Sequence, residues 1–316
     1  MAQVSVIIPT YNRARFLGGA VKSVLAQSFK DLEILVVDDC GSDDAAAVVK
    51  SFGRAEVRYL RHDRRRGGGA ARNTGILASS SEYIAFLDDD DEWYPEKLAR
   101  QMSTMLASPA EVGGIYTGYF IVDRGDGQIC GQIVPTERGD IYAALLAGNC
   151  IGGTSCMLLR RSCFDNIGLF DELLPSFQDY DLWLRLAQKY HFDCIREPLL
   201  RYFVHGDRIW TNAEALSQGL DLMLRKYGDA AAFRKKCGTY YLALGVQHCE
   251  ANRFEAGRKA LLRAARLNPL GMESYAYLAL ATLGGGNFRR ARQAQARLRL
   301  ARGHRYAVGG GIAEKA

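Results

Sequence analysis

The chain has 316 residues, of which 48% are hydrophobic and 24% charged, with a formal net charge of +6. This is the composition of a soluble globular protein, long enough for one large α/β domain and a smaller appendage. No run of 18 or more apolar residues is present, which excludes a spanning helix. The start, MAQVSVIIPTYN, lacks the basic stretch and cleavage site of a signal peptide.

Residues 3–9 form a short β-branched run ended by proline and predict a buried strand that opens the fold at once. Over 13–28, Phe16, Leu17, Ala20, Val21, Val24 and Leu25 repeat at helical spacing. Residues 33–37 predict a second strand, followed by a turn over Asp38-Asp39-Cys40-Gly41-Ser42. A helix over 43–52 and a third strand over 56–61 come next. Gly67-Gly68-Gly69 precedes a helix-like stretch from Ala70 to Ala78, and a fourth strand over 82–87 runs into four aspartates. Further strands are predicted at 113–122 and 129–134, around an Asp126-Gly127 turn.

Strands alternating with helices argue for a mostly parallel sheet covered by helices, an α/β fold. Ligands of such sheets bind beyond the carboxyl ends of the strands. The polar clusters lie there: Thr10 to Asn12, Asp38-Asp39, and Asp88 to Asp91.

Residues 1–220 carry 23 Lys and Arg against 29 Asp and Glu, whereas residues 221–316 carry 18 against 6. The front is acidic and the tail basic. A basic tail suits an anionic lipid surface, a nucleic acid or a solvated helical face. It lacks the aromatic platforms of a nucleic-acid module, so no nucleic-acid partner is expected. The eight cysteines form no C-x-x-C pair and no zinc spacing, which points to a reducing, cytoplasmic setting. If the tail meets lipid, that setting is the inner face of a membrane.

The tail is helical in pattern and repeats. Tyr241, Leu244, Gly245, Phe254, Gly257 and Arg258 recur 34 residues later as Tyr275, Leu278, Ala279, Phe288, Ala291 and Arg292. This is the period of tetratricopeptide helix pairs, which the region resembles. Leu261, Ala264 and Pro269 extend the pattern in the first copy, while the second has Gln295, Leu298 and Gly303 at those places. The expected organisation is a catalytic domain over 1–220, a helical region over 221–305 with a possible protein partner, and a Gly-rich flexible tail over 306–316.

Asp88-Asp89-Asp90-Asp91 is the sharpest chemical feature. Carboxylates crowded after a buried strand need a positive partner. Mg²⁺ or Mn²⁺ would serve through oxygen ligands and leave positions open for a diphosphate. The bland alternative is a solvated acidic turn.

The segments VSVIIPTYNRARFL, SVLAQSF, EILVVDDCGSDD, GGGAARNTGI and EYIAFLDDDDEWYPEKL occur in that order. With LRRSCFDNIGLFDE and QDYDLWLRLA downstream, the chain resembles the inverting glycosyltransferases of family 2, which have the GT-A fold. The resemblance covers roughly residues 3–210. It implies that Thr10, Tyr11 and Asn12 border the nucleotide pocket and that Asp39 accepts the imino N–H of a uracil or thymine ring. Arg72 and Asn73 would lie near the base and diphosphate. The family's D-x-D motif falls on Asp88-Asp89-Asp90, with Asp88 facing ribose or metal and Asp90 the main metal ligand. Asp89 and Asp91 are ambiguous, because four aspartates stand where the family often has D-S-D-D. Asp179 would be the catalytic base, though a carboxylate in a first helical turn can also be a cap. Gln178 stands where the family usually has Glu. His205 would approach the metal or diphosphate, or be structural, and Arg208 could touch phosphate. Gly152-Gly153-Thr154-Ser155 would line the acceptor side.

The implied reaction passes a sugar from a UDP- or dTDP-sugar to a hydroxyl of a saccharide or lipid-linked acceptor, in cell-surface polysaccharide synthesis. Two rivals remain. A sugar nucleotidyltransferase would carry a glycine-rich loop after the first strand, where this chain has PTYNRARFL. A non-catalytic scaffold would retain the fold around a degenerate site.

Overall fold

The computed structural model describes residues 2–204, 212–290 and 292. It divides into two compact units, one from Met1–Leu145 with Asn149–Gly206 and the other from Leu146–Gly148 with Asp207–Ala316.

The first unit is a nine-stranded sheet. Its first half is parallel: β1 (Val4–Thr10) lies between β2 (Leu32–Asp38) and β4 (Tyr83–Phe86), and β3 (Val57–Arg61) pairs with the far side of β2. Every residue of β1 except Pro9 is buried, as is every residue of β4. Such nearly unbroken burial is what a sheet covered on both faces demands. Four helices accompany these strands: α1 (Ala14–Leu25), α2 (Ala45–Ser51), α3 (Gly68–Ala78) and α4 (Lys97–Ala107). α3 packs on β1 and β2, and α4 packs on β6 (Val112–Asp123). A Cβ on Gly75 of α3 would stand 2.5 Å from Ile7 Cγ2, so a glycine there lets helix and strand meet.

Beyond β4 the sheet is mixed. β8 (Met157–Arg160) runs antiparallel to both β4 and β6, and β9 (His191–Val204) runs parallel to β6. The two-residue β5 (Glu92–Trp93) is antiparallel to β9, and β7 (Ile129–Ile133) pairs with β6 across the Asp126-Gly127 turn, where Gly127 has φ 71°. The predicted parallel order therefore holds for β1 to β4 and gives way where hairpin-like returns bring β8 back to the sheet. Two further helices belong here, α6 (Cys163–Ile167) and α7 (Gln178–Ala187), with α5 (Tyr142–Ala147) up to Leu145.

The second unit contains α8 (Ala213–Tyr227), α9 (Ala231–Glu250), α10 (Phe254–Leu267) and α11 (Met272–Thr282). The α9–α10 pair closes through glycines. A Cβ on Gly245 would come 2.6 Å from Leu261 Cγ, and one on Gly257 would collide with Cys249 Sγ and come 3.0 Å from the Gly245 carbonyl. Cys249 of α9, Leu261 of α10, Ala281 of α11 and Phe288 form one buried cluster in this unit. The repeat read from the sequence is unequal in packing. Tyr241 is buried and its hydroxyl donates to Asp221 of α8, while its counterpart Tyr275 is 42% exposed. Ala291, Gln295, Leu298, Gly303 and the tail 306–316 lie outside the described residues.

Gly257→Ala is expected to destabilise the helical unit by about 1–3 kcal/mol, because overpacking outweighs the gain of about 1 kcal/mol in helix propensity. Urea unfolding followed by far-UV circular dichroism would read this, and an unchanged or raised midpoint would contradict the close approach. Among the described residues, no helix is long and apolar enough to cross a membrane.

Candidate functional site

Three polar segments meet beyond the carboxyl ends of the parallel strands. Two of them carry a residue with a left-handed backbone, Asn12 (φ 54°) after β1 and Cys40 (φ 63°) after β2, and Phe177 (φ 63°) has the same conformation at the start of α7. For Cys and Phe this conformation costs on the order of 1–3 kcal/mol, and such strain gathers where a fixed geometry is needed.

After β2, Asp38 is buried under its own turn. It accepts from Gly41 N–H at 2.7 Å and from the Tyr59 hydroxyl at 2.5 Å. Those bonds hold the backbone, and burial followed by the Asp38 hydrogen bond raises the Tyr59 pKa above its ordinary value. Asp39 turns the other way. Its Oδ1 accepts from Arg66 N–H at 2.7 Å and lies 2.8 Å from His62 Nδ1, and its Oδ2 accepts from Gly67 N–H at 2.7 Å. The far ring nitrogen of His62 lies 2.8 Å from the Thr74 hydroxyl of α3. Gly67 has φ 94°, a conformation that favours glycine, and this lets its N–H face Asp39. Oδ2 keeps acceptor capacity for one further donor.

The remaining residues expected at the nucleotide pocket fall into two groups. Tyr11 presents its ring under the Arg65 guanidinium, 4.3 Å from the centroid, and Thr10 donates to Asp89 Oδ2 at 2.7 Å. Asn12 and Asn73 instead have scaffolding partners. Asn12 Oδ1 accepts from Ser42 N–H at 2.6 Å. Asn73 donates to the Phe170 carbonyl at 2.9 Å and to Glu172 at 3.0 Å, and accepts from Phe170 N–H at 2.9 Å. Asn73 therefore fastens the 170–172 loop to α3.

The four side chains of the acidic run after β4 have largely different partners. Asp88 Oδ1 accepts from Arg72 Nη2 at 2.5 Å and from the Thr154 hydroxyl at 3.0 Å. Asp91 accepts from the Ser155 hydroxyl at 2.7 Å and from Phe203 N–H of β9 at 3.3 Å. Ser155 Oγ in turn accepts from Asp88 N–H at 3.0 Å. Asp89 faces Thr10 and Arg13, whose Nη1 lies 3.3 Å from Asp89 Oδ1 and 2.9 Å from Asp90 Oδ2. The Asp90 carbonyl accepts from Arg124, whose guanidinium also covers the rings of Phe16 and Phe203.

Carboxylate oxygens of Asp88, Asp90 and Asp91 lie within 4.8 Å of one another. Three hard oxygen donors at this separation can close on one divalent cation. The charge balance fits as well. Burial first and the Asp90 charge second push the Asp89 carboxyl up to about 7, against the pull of Arg13 and the Thr10 hydroxyl. The Asp90 and Asp88 charges add to that rise, and a dication on the run would oppose them.

Asp179 sits in the first turn of α7 and accepts from Tyr180 N–H at 2.7 Å. Burial pushes its carboxyl up to about 6. The Tyr180 N–H and the Arg72 charge pull the other way, and the Asp88 charge adds to the rise. His205 and Arg208 fall outside the described residues.

Five participants were not read from the sequence: Arg13, Arg124 and His62, and Thr154 and Ser155 as holders of carboxylates. For Arg13 a signal existed, since it directly follows TYN at the end of β1 while four clustered carboxylates require cations. The others arrive from positions distant in the chain.

The family model "Glycosyl transferase family 2" matches residues 5–168. An uncharacterized glycosyltransferase of Rickettsia typhi is 32% identical over 273 residues, spanning 77% of this chain and 84% of the relative. The Escherichia coli UDP-Glc:alpha-D-GlcNAc-diphosphoundecaprenol beta-1,3-glucosyltransferase WfgD is 31% identical over 192 residues, 61% of this chain and 72% of that protein. The chain spans about a third or less of the length of three other curated Rickettsia relatives it matches. Among solved structures, the mannosyltransferase PcManGT from Pyrobaculum calidifontis, in complex with GDP-Man and Mn²⁺, superposes with a TM-score of 0.58 at 19% identity. That match covers 96% of this chain and 82% of the other, and it shows a shared fold.

Proposed function

The chain belongs to glycosyl transferase family 2, and on that premise we propose that it passes a sugar from a nucleotide-diphosphate donor to an acceptor hydroxyl, with inversion. The observation that carries this reading is the convergence of the Asp88, Asp90 and Asp91 oxygens within 4.8 Å of one another, with Arg72 bonded to Asp88; the raised carboxyl of Asp179 supports it.

The base end of the donor belongs at Asp39 and Tyr11. Oδ2 of Asp39 is the acceptor for the imino N–H of uracil or thymine, held in place by His62, Arg66 N–H and Gly67 N–H. Tyr11 offers a ring face for the base once Arg65 moves aside. Asp88, Asp90 and Asp91 would hold Mg²⁺ or Mn²⁺, which supplies Lewis-acid stabilisation to the departing diphosphate. Arg72, bonded to Asp88, adds fixed positive charge where negative charge develops. Asp179 takes the proton of the acceptor hydroxyl as that oxygen attacks the anomeric carbon opposite the diphosphate. A carboxyl near 6 is ionised at neutral pH and remains a better proton acceptor than an ordinary aspartate.

WfgD, named for a UDP-Glc donor and a diphosphoundecaprenol-linked GlcNAc acceptor, supports a UDP-sugar and a lipid-linked saccharide as the first substrates to test. The basic second unit suits work beside an anionic membrane surface, and cell-surface polysaccharide synthesis is the matching setting.

Calorimetric titration of UDP with and without Mn²⁺ tests the donor site. Binding should require Mn²⁺ and weaken at least about tenfold in Asp39→Ala, the loss of one hydrogen bond to a charged group. Failure to bind UDP, dTDP or GDP under either condition would overturn the reading.

A further inference from the structure

Arg13 stands against Asp89 and Asp90 of the acidic run, whereas Arg72 pairs with Asp88. The Arg13 backbone starts α1, with its carbonyl accepting from Phe16 N–H at 2.9 Å and Leu17 N–H at 3.2 Å. The helix therefore fixes where the side chain begins. That side chain reaches back to Asp89 Oδ1 at 3.3 Å and Asp90 Oδ2 at 2.9 Å, while remaining 24% exposed. The two carboxylates are nearly closed to solvent, at 5% and 10% side-chain exposure. The Asp89 carboxylate is also held by Thr10, and the Asp90 backbone carbonyl by Arg124. The arginine is thus the long, solvent-reaching partner in this contact.

Asp90 is also one of the three residues whose oxygens converge for a cation. A guanidinium on one of its oxygens and a dication on the same carboxylate repel each other, and little water intervenes to screen them. We infer that Arg13 is a built-in counter-cation that keeps the divalent-ion site weak until a nucleoside diphosphate arrives. This rests on the reading of Asp88, Asp90 and Asp91 as cation ligands. The diphosphate brings the negative charge that lets Arg13 and the metal coexist, and an arginine fork can turn from carboxylate to phosphate without losing its hydrogen bonds. Cation and nucleotide then bind cooperatively, each strengthening the other by the same factor. The arrangement favours a metal–nucleotide complex over free metal in a cell where divalent ions are always present.

The test is titration of Mn²⁺ alone, without nucleotide, into the full chain carrying Arg13, Arg13→Gln or Arg13→Lys. Removing the charge in Arg13→Gln should tighten Mn²⁺ binding at least tenfold, and Arg13→Lys, which keeps the charge, should stay close to the parent. Should Arg13→Gln fail to fold, Arg13→Met supplies an uncharged side chain of similar reach. Equal or weaker Mn²⁺ affinity in the folded neutral variant overturns the inference and leaves the cation site standing. A tightening in Arg13→Lys equal to that in Arg13→Gln also overturns it, because the effect would then be steric. Absence of Mn²⁺ binding in every chain overturns the cation site and the inference together.

Discussion

Asp179→Asn is expected to lower turnover by about three orders of magnitude, within the range for loss of a general base, while UDP affinity in the presence of Mn²⁺ stays within about a factor of two of the parent. Asparagine keeps the size of the side chain and its acceptor for the Tyr180 N–H, so the start of α7 is preserved. What it lacks is a site for the acceptor's proton. The parent enzyme should show a matching pH profile. Acting as the proposed base, Asp179 would work as a carboxylate, and its carboxyl is pushed up to about 6. The rate should therefore rise about tenfold per pH unit below 6 and level off above it. In Asp179→Asn that rise should vanish. Near-normal turnover in Asp179→Asn, or a retained inflection near 6, would assign the base elsewhere.

Asp90→Ala should be as damaging by another route. Removing one of three converging carboxylates leaves a poor cage for a dication, and the diphosphate loses its electrophilic support. Turnover should fall by about a thousandfold or more, and Mn²⁺-dependent UDP binding should disappear from the calorimetric trace. The contrast between the variants is diagnostic: Asp179→Asn loses chemistry and keeps the donor, whereas Asp90→Ala loses both. If Asp90→Ala bound UDP with undiminished Mn²⁺ dependence, the cation would have to sit on other ligands.

Much of the first unit could be read from the chain because its signals are local. β1, β2 and β4 are short apolar runs that each end in a polar cluster, and the topology brings those ends together as the alternation of strands and helices requires. The acidic run was conspicuous for the same reason. What escaped was set by long-range pairing. Nothing around Met157 or His191 reveals that β8 turns antiparallel between β4 and β6, or that β9 lies along β6. Thr154 and Ser155 become partners of Asp88 and Asp91 only through that return. Asn73 shows a different limit. Its place in GGGAARNTGI suggested a donor contact, but a side chain's direction depends on the loop it meets, here Phe170 and Glu172. The helical repeat was visible as a period, while the unequal burial of Tyr241 and Tyr275 is set by the different neighbours of each copy.

The bonding around Thr10 bears on how such a site can change over evolutionary time. Its carbonyl accepts from Asp39 N–H at 2.9 Å, and its hydroxyl donates to Asp89. On one side of it, the Asp39 carboxylate is held by His62, Arg66 and Gly67. On the other, Asp88 and Asp91 are held by Arg72, Thr154, Ser155 and the Phe203 backbone. If Asp39 reads the base and the acidic run handles the diphosphate, the two jobs rest on largely separate sets of supports. A lineage could then change its nucleotide by altering the stretch from Arg61 to Gly67, leaving the reaction centre undisturbed. Thr10, bonded to both halves, would be among the last residues free to vary.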